Sequence, residues 1–245
     1  MKPDHASDSV LIERTPTNWT FVLNRADKRN ALNAAMVETL LEGVEQAHAN
    51  EVPMLTFMGE GKSFCAGFDF TDFEAQSEGD LLWRFVRIER LLQRIYRSPA
   101  LTLGLAQGKN FGAGVDLLLA CQHRVSESDA TFRMPGLQFG LLLGTRRLGH
   151  LIGFDQARRL QEVAATVDAP QAQALGMLSQ IAPQAQWSEC QADLSQTANN
   201  LDRSTRAFLG EALLASGDDQ DMAALVRSVA RPGLKARIAK YRARG

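Results

Sequence analysis

The sequence lacks the features that mark secreted, membrane-spanning or nucleic-acid-binding proteins. Its three cysteines, Cys65, Cys121 and Cys190, are odd in number and far apart, so no disulfide framework is expected. Lys and Arg total 27 against 28 Asp and Glu, and this balance provides no overall field that would attract nucleic acid or an anionic membrane. No apolar run approaches the ~18 residues of a membrane span, and the first residues lack the apolar stretch of a signal peptide. We therefore expect a cytoplasmic protein without nucleic-acid or membrane partners.

Metal and nucleotide motifs are also missing. The four histidines are His5, His48, His123 and His150. They have no metal-ligand spacing, and we expect them on the surface or in the core rather than in catalysis. Gly61-Lys62-Ser63 lacks the earlier glycine and the following helix of a phosphate-binding loop, and Gly112-Ala113-Gly114 has Leu117 in place of the third glycine of a dinucleotide fingerprint. The sequence thus predicts neither a metal nor a prosthetic group.

The chain does contain apolar strand-like runs that alternate with helical patterns. Predicted strands cover residues 10–13, 19–24, 53–58 and 101–106. Predicted helices cover residues 31–49, with Asn30 as the N-cap, and residues 79–96, 115–121, 155–165, 169–178, 187–213 and 232–243. This order is typical of an α/β protein with parallel strands and crossover helices, whose ligands gather at the carboxyl ends of the strands.

Two glycine-containing segments follow predicted strands. The first glycine loop comprises residues 63–70, and the second glycine loop comprises residues 108–116. Each places small residues where an apolar run ends, so each can leave a main-chain N–H group uncovered and directed at a ligand. Two such donors directed at one oxygen atom would form an oxyanion hole.

Further landmarks accompany these loops in a fixed order. They are residues 23–33, 59–67, 106–108, 117–121, 130–132 and 176–183. Together with the loops they resemble the crotonase family, also called the enoyl-CoA hydratase/isomerase superfamily. The resemblance implies an α/β fold, a crotonase-like spiral of ββα units with a C-terminal helical region. It also implies a coenzyme A thioester as the ligand and assembly as a homotrimer or a dimer of trimers.

The resemblance also implies roles for individual residues and segments. The oxyanion donors would be the main-chain N–H groups of Phe68 and Ala113. Because this family usually has glycine where Ala113 stands, the second glycine loop must adopt an ordinary backbone angle there. Residues that would bind the substrate are Lys28, Arg29, Ala31, Ala66, Phe68, Asp69, Phe70, Phe111, Gly112 and Pro135. Residues 1–190 would form the core with the coenzyme A site, and residues 191–245 a helical region for oligomerisation and for covering the active site.

Not all of these roles have a single interpretation. Lys28 and Arg29 match positions that flank the nucleotide phosphates, but a solvated turn before a helix is an equal alternative. Lys235, Arg237, Lys240, Arg242 and Arg244 form a basic cluster in the last predicted helix. A solvated helix end is the favoured interpretation of that cluster, and a patch that meets a phosphate-bearing ligand is the alternative.

Two acidic positions decide which reaction the resemblance implies. Hydratases of this family use two glutamates, and Asp116 occupies the position of the first while Gly136 occupies that of the second. Apolar neighbours of Asp116 should remove solvation and raise its pKa, although a first-turn acid stabilised by the helix dipole is an alternative. A single carboxylate moving a proton between two carbons predicts a double-bond isomerase. The alternatives are an impaired hydratase, a decarboxylase, a thioester hydrolase and a non-catalytic acyl-CoA-binding protein.

The segment after Gly136 departs from the family as well. Residues 140–148 are shorter than the corresponding loop of relatives, which leaves few side chains to replace the missing glutamate. Arg146 and Arg147 lie at the end of this segment. We expect them to cap the following helix, and binding of a substrate carboxylate is the alternative.

Overall fold

Two β-sheets and ten α-helices make up residues 9–214 and 216–243, which are the residues that the computed structural model describes. His5 and Arg244 lie outside these residues. The strands are β1 (Val10–Arg14), β2 (Asn18–Leu23), β3 (Met54–Gly59), β4 (Leu101–Ala106), β5 (Lys109–Phe111), β6 (His123–Ser126), β7 (Thr131–Arg133), β8 (Thr166–Asp168) and β9 (Gln180–Ile181). The helices are α1 (Ala34–Ala49), α2 (Glu78–Tyr96), α3 (Ala113–Ala120), α4 (Thr145–Ile152), α5 (Phe154–Glu162), α6 (Ala169–Ala174), α7 (Trp187–Asn199), α8 (Arg203–Leu213), α9 (Asp218–Val229) and α10 (Leu234–Arg242).

The larger sheet has the strand order β1-β2-β3-β4-β6-β9. Only β1 runs antiparallel to its neighbour, and the other described pairs of this sheet are parallel. The smaller sheet, in the order β5-β7-β8, pairs β5 with β7 in parallel and β7 with β8 in antiparallel fashion. The predicted parallel arrangement with helical crossovers is therefore confirmed.

The core lies on both faces of the larger sheet, and β4 shows why. Every residue of β4 is buried. Leu101, Leu103 and Leu105 share one apolar cluster with Trp187 of α7. On the opposite face, a Cβ atom at Gly104 would lie 2.5 Å from the Leu118 side chain, so glycine allows α3 to approach the sheet closely. This contact fixes α3, which begins directly after the second glycine loop.

Several helix predictions were wrong in detail. Asn33, not Asn30, is the N-cap of α1, because its side chain accepts a hydrogen bond from the Met36 N–H at 2.8 Å. The predicted helix over residues 187–213 is two helices, and Asp202 caps the second by accepting from the Thr205 N–H at 2.9 Å. The predicted helix over 169–178 ends at Ala174. Helix α9 was not predicted. Within the described residues, no helix combines the length and the apolar content that crossing a bilayer requires.

Candidate active site

The two glycine loops meet because β3 and β4 are parallel neighbours whose carboxyl ends share one edge of the sheet. Main-chain hydrogen bonds join the loops. The Phe64 N–H donates to the Gln107 carbonyl at 3.0 Å, and the Phe111 N–H donates to the Cys65 carbonyl at 3.2 Å. The Asn110 side chain adds a third link by accepting from the Cys65 N–H at 3.2 Å. The relative position of the two loops is therefore set mainly by the backbone.

Glycine permits this close approach at two positions. A Cβ atom at Gly67 would lie 2.3 Å from the Phe111 carbonyl oxygen and 3.3 Å from the Ala113 nitrogen. A Cβ atom at Gly114 would lie 2.3 Å from the Cys65 carbonyl oxygen. Because any side chain at either position would collide with the backbone of the other loop, both glycines are required for the loops to pack against each other.

The main-chain N–H groups of Phe68 and Ala113 have no hydrogen-bond acceptor among residues 9–214 and 216–243. Leu32 pairs with both neighbours of Phe68: its N–H donates to the Gly67 carbonyl, and its carbonyl accepts from the Asp69 N–H. The Phe68 N–H therefore points away from Leu32. Ala113 is the first residue of α3, where N–H groups lack intrahelical partners. Both donors are available to a ligand.

The predicted ordinary backbone angle at Ala113 is confirmed. Gly112, the residue before it, has a φ angle of 46° and is the N-cap of α3. Ala113 is absent from the residues with positive φ and begins the helix. The left-handed turn thus falls on glycine, and alanine at the next position costs no backbone strain.

A cavity of about 650 Å³ lies where the two loops meet. Nine of the twelve predicted site residues line it, namely Arg29, Ala66, Phe68, Phe70, Phe111, Gly112, Ala113, Asp116 and Pro135. Lys28, Ala31 and Asp69 do not belong to its wall. Asp69 instead supports the first glycine loop, since its carboxylate accepts from Arg25 and from the Thr71 N–H, each at 2.9 Å. Burial would raise the pKa of Asp69, but these hydrogen bonds outweigh it and hold that pKa below its usual range.

The Phe68 side chain contacts two side chains of α2. The Arg84 guanidinium lies 4.0 Å from the centre of the Phe68 ring and donates to the Asp69 carbonyl at 2.7 Å. The Phe85 ring stacks on the Phe68 ring with centroids 4.3 Å apart. These contacts restrict the first glycine loop, and Phe85 itself reaches the cavity wall. Trp83, two residues before Phe85, is 59% exposed.

Asp116 is the one carboxylic acid among the described residues of the cavity wall. It is 4% exposed, and its carboxylate has no hydrogen-bond partner in the described chain. The backbone of Gly144 packs directly against it, because a Cβ atom there would lie 1.9 Å from Asp116 Oδ1. Loss of solvation raises the pKa of Asp116 well above its ordinary value; the charge of Arg147 opposes this rise and that of Glu89 adds to it. The predicted direction of the shift is confirmed.

Behind Asp116 lies a buried ion pair that the sequence did not reveal. Arg147 of α4 donates to both carboxylate oxygens of Glu89 on α2, at 2.7 and 2.6 Å, and the two side chains are 5% and 1% exposed. The neighbouring Arg146 binds Asp221 of α9 at 2.8 and 3.0 Å. The prediction that Arg146 and Arg147 cap a helix was therefore wrong. Both join α4 to other helices through bidentate pairs.

Three cations, Arg29, Arg133 and Arg242, also belong to the cavity wall. Arg242 comes from the basic cluster of the last helix, together with its neighbour Tyr241. Arg237 of the same cluster binds main-chain carbonyls, including that of Phe139 at 3.0 Å. Arg242 therefore contributes to the cavity wall, whereas Arg237 binds the backbone instead.

Sequence reasoning missed further wall residues that no motif marks. Gln161, Arg133 and Thr145 reach the cavity from α5, β7 and α4. Of the histidines, His48, His123 and His150 lie away from this wall. No group of three or more potential metal ligands occurs within residues 9–214 and 216–243.

Comparisons with known proteins identify the family and the fold of the chain. The sequence profile of the enoyl-CoA hydratase/isomerase family matches residues 19–229. A Mycobacterium tuberculosis protein provisionally named enoyl-CoA hydratase is 32% identical over 183 residues, which is 73% of each chain. A Bordetella parapertussis crystal structure, provisionally described as an enoyl-CoA hydratase/isomerase, has a TM-score of 0.94 and 54% identity, and the match covers 95% of this chain and 98% of that one. An enoyl-CoA hydratase from Bacillus halodurans shares the fold, with a TM-score of 0.83 and 20% identity over 95% of this chain and 99% of its own. The chain therefore belongs to the enoyl-CoA hydratase/isomerase family of enzymes and has its crotonase fold.

Proposed function

We propose that the protein isomerises the double bond of an enoyl-CoA thioester. The observation that carries this proposal is that the unpaired main-chain N–H groups of Phe68 and Ala113 line the same cavity as Asp116, the one carboxylic acid among the described residues of its wall. The two N–H groups would donate to the thioester carbonyl oxygen. That oxygen gains negative charge when an enolate forms, so donors already in position favour the enolate over the ground state.

Asp116 would move the proton. Its carboxylate takes a proton from the carbon next to the thioester carbonyl, and the electrons of that C–H bond delocalise into the conjugated enolate. The same proton then returns to the far carbon of the former double bond, which shifts the bond by one position and restores the carboxylate. A raised pKa makes Asp116 a stronger base for this step. Because Gly136 supplies no second acid, one carboxylate supports isomerisation better than water addition.

The coenzyme A portion would bind at the basic side of the cavity. Arg29 and Arg242 give the wall positive charge, which suits a ligand with several phosphates. The predicted roles of Lys28, Ala31, Ala66 and Phe70 in binding the substrate remain part of this proposal. The proposal requires no metal or prosthetic group, and coenzyme A enters as part of the substrate.

A substitution that separates the loops tests the proposal. We expect Gly67→Ala to lower kcat/KM for a 3-enoyl-CoA by about a hundredfold or more, because the new methyl group pushes the Phe111 backbone and the Ala113 N–H out of position. The assay follows conjugation of the double bond by ultraviolet absorbance. Gly79→Ala is the control, since the nearest atom to a Cβ there is 3.6 Å away, and it should retain full activity.

The same assay, run on a panel of thioesters, separates the alternatives. Formation of a hydroxyacyl-CoA would favour a hydratase, and release of carbon dioxide or free thiol would favour a decarboxylase or a hydrolase. Binding of thioesters without conversion of any of them would overturn the proposal and favour an acyl-CoA-binding protein.

Helix α8 supports the proposed trimer or dimer of trimers. None of its residues is buried, and Phe208, Leu209 and Leu213 are 68%, 47% and 74% exposed. Apolar side chains grouped in this way are typical of an interface. We expect light scattering after gel filtration to give a trimer or hexamer for the wild type and smaller species for Phe208→Glu. Val163→Glu, at a similarly exposed position after α5, should not change the mass. A monomeric wild type would contradict this part of the proposal.

A further inference from the structure

We propose that Gln161 determines acyl specificity by hydrogen-bonding an oxygen atom of the acyl group. The site would then prefer acyl groups that carry a hydroxyl group over plain hydrocarbon chains. This inference rests on the proposed function, because it takes the cavity to hold an acyl-CoA thioester.

Gln161 is a buried polar residue without a partner. It is 5% exposed, and its side-chain amide has no hydrogen bond to any of residues 9–214 and 216–243. Its capacity to donate and to accept a hydrogen bond is therefore free for a partner that enters the cavity.

The amide of Gln161 also keeps access to the cavity. Among the described residues, the one side-chain polar atom that is both sealed from solvent and unpaired is Gln107 Oε1. The unpaired amide atoms of Gln161 are therefore not sealed, and Gln161 belongs to the cavity wall. A ligand in the cavity can reach them, whereas Gln107 Oε1 has no such opening.

Two hydrogen bonds connect the surroundings of Gln161 to the second glycine loop. The Arg133 side chain donates to the carbonyl of Ala164, three residues after Gln161, at 2.9 Å. The Arg133 carbonyl accepts from the Gly112 N–H at 2.8 Å. Strand β7 thus holds the end of α5 next to the loop that carries the Ala113 N–H. Gln161 also shares the cavity wall with Ala113 and Asp116, and the proposal places its amide at the acyl end of the ligand.

Phe85, Met134, Leu141 and Leu143 contribute apolar side chains to the same cavity wall. In such surroundings one amide discriminates strongly, because a ligand with an oxygen atom pairs with it and a hydrocarbon leaves it unpaired. A glutamine side chain donates and accepts, so it suits a hydroxyl group well.

Isothermal titration with matched thioesters tests the inference. The probes are butyryl-CoA, 3-hydroxybutyryl-CoA and 4-hydroxybutyryl-CoA, which have the same chain length. We expect the wild type to bind one of the hydroxybutyryl thioesters about tenfold more tightly than butyryl-CoA. Gln161→Met has a similar length without the amide, and it should lose this preference and bind butyryl-CoA more tightly than the wild type does. Gln156→Met, on the same helix, is the control because Gln156 already accepts from Arg159 at 2.9 Å.

Each result has a distinct meaning. A wild type without preference, or a Gln161→Met variant that keeps the preference, would overturn the role of Gln161 and leave the proposed function intact. Failure of the wild type to bind any of the three thioesters would instead overturn the proposed function, and the role of Gln161 would fall with it.

Discussion

Replacement of Asp116 by asparagine is expected to reduce isomerase activity by about 10²–10⁴-fold, the range associated with loss of a general acid–base group. Asparagine has nearly the same size and shape but cannot carry the proton between the two carbons. The affinity for a saturated acyl-CoA should stay within a few fold, because the carboxylate has no hydrogen bond that its loss would break. Equal turnover by the two proteins would refute the catalytic role.

The same substitution should increase stability at neutral pH. The folded pKa of Asp116 is raised above its unfolded value. Folding therefore favours the protonated form, and stability is lost as the pH rises from the unfolded pKa through the folded one. Because asparagine does not titrate, the gain in thermal stability of Asp116→Asn over the wild type should increase as the pH rises above about 4.

Asp69→Asn is the matched control for that pH series. The pKa of Asp69 is lowered in the folded protein. Its ionised form therefore contributes stability above the unfolded pKa, and this stability is lost as the pH falls through the folded pKa. The asparagine variant should lose most stability at neutral pH and least in acid, the opposite trend. Parallel melting curves of Asp116→Asn and the wild type at every pH would contradict the raised pKa.

Breaking the Glu89–Arg147 pair should be the most destabilising of the proposed changes. Either Arg147→Met or Glu89→Gln is expected to lower the free energy of unfolding by about 3–5 kcal/mol. Each substitution leaves one almost fully buried charge without its ionised partner. The double variant Glu89→Leu/Arg147→Met leaves neither charge and should recover much of the loss. Urea unfolding measures these differences. The control is Arg87→Met, which removes a half-exposed pair with Glu38 and should cost about 1 kcal/mol or less.

This pair also sets the charge beside the proposed base. Removing Arg147 withdraws an attraction that lowers the pKa of Asp116 and leaves Glu89 to repel its ionised form. Removing Glu89 has the reverse effect. The pH at which kcat/KM reaches half its maximum should therefore increase in Arg147→Met and decrease in Glu89→Gln. Unchanged profiles in both variants would show that the pair has a structural role alone.

The parts of the fold that the sequence predicted best are those that local patterns determine. Strand β4 and helix α2 were predicted nearly to their ends, because apolar runs and helical spacing mark them without reference to the rest of the chain. The raised pKa of Asp116 was predictable for the same reason, since its apolar neighbours are adjacent in sequence. The two glycine loops were recognised because small residues follow buried strands at both places.

The errors arose where contacts with residues distant in sequence determine the local structure. Asn30 and Asn33 are both good N-cap residues, and only the tertiary structure distinguishes them: Asn30 is buried and donates to the carbonyls of Glu60 and Ser63, at 2.9 Å each. Gln161 lies in a stretch that has the composition of a surface helix, and only the packing of α5 turns it inward. The partners of Arg147 are equally distant in sequence, so no local rule could identify them.

The backbone contacts between the two glycine loops have a consequence for redesign. In the proposed site, peptide groups would hold the thioester oxygen, whereas the proposed base and the wall around the acyl group would be side chains. Substituting those side chains should therefore leave the peptide groups undisturbed. We expect the same backbone to support other reactions when a few wall side chains are exchanged.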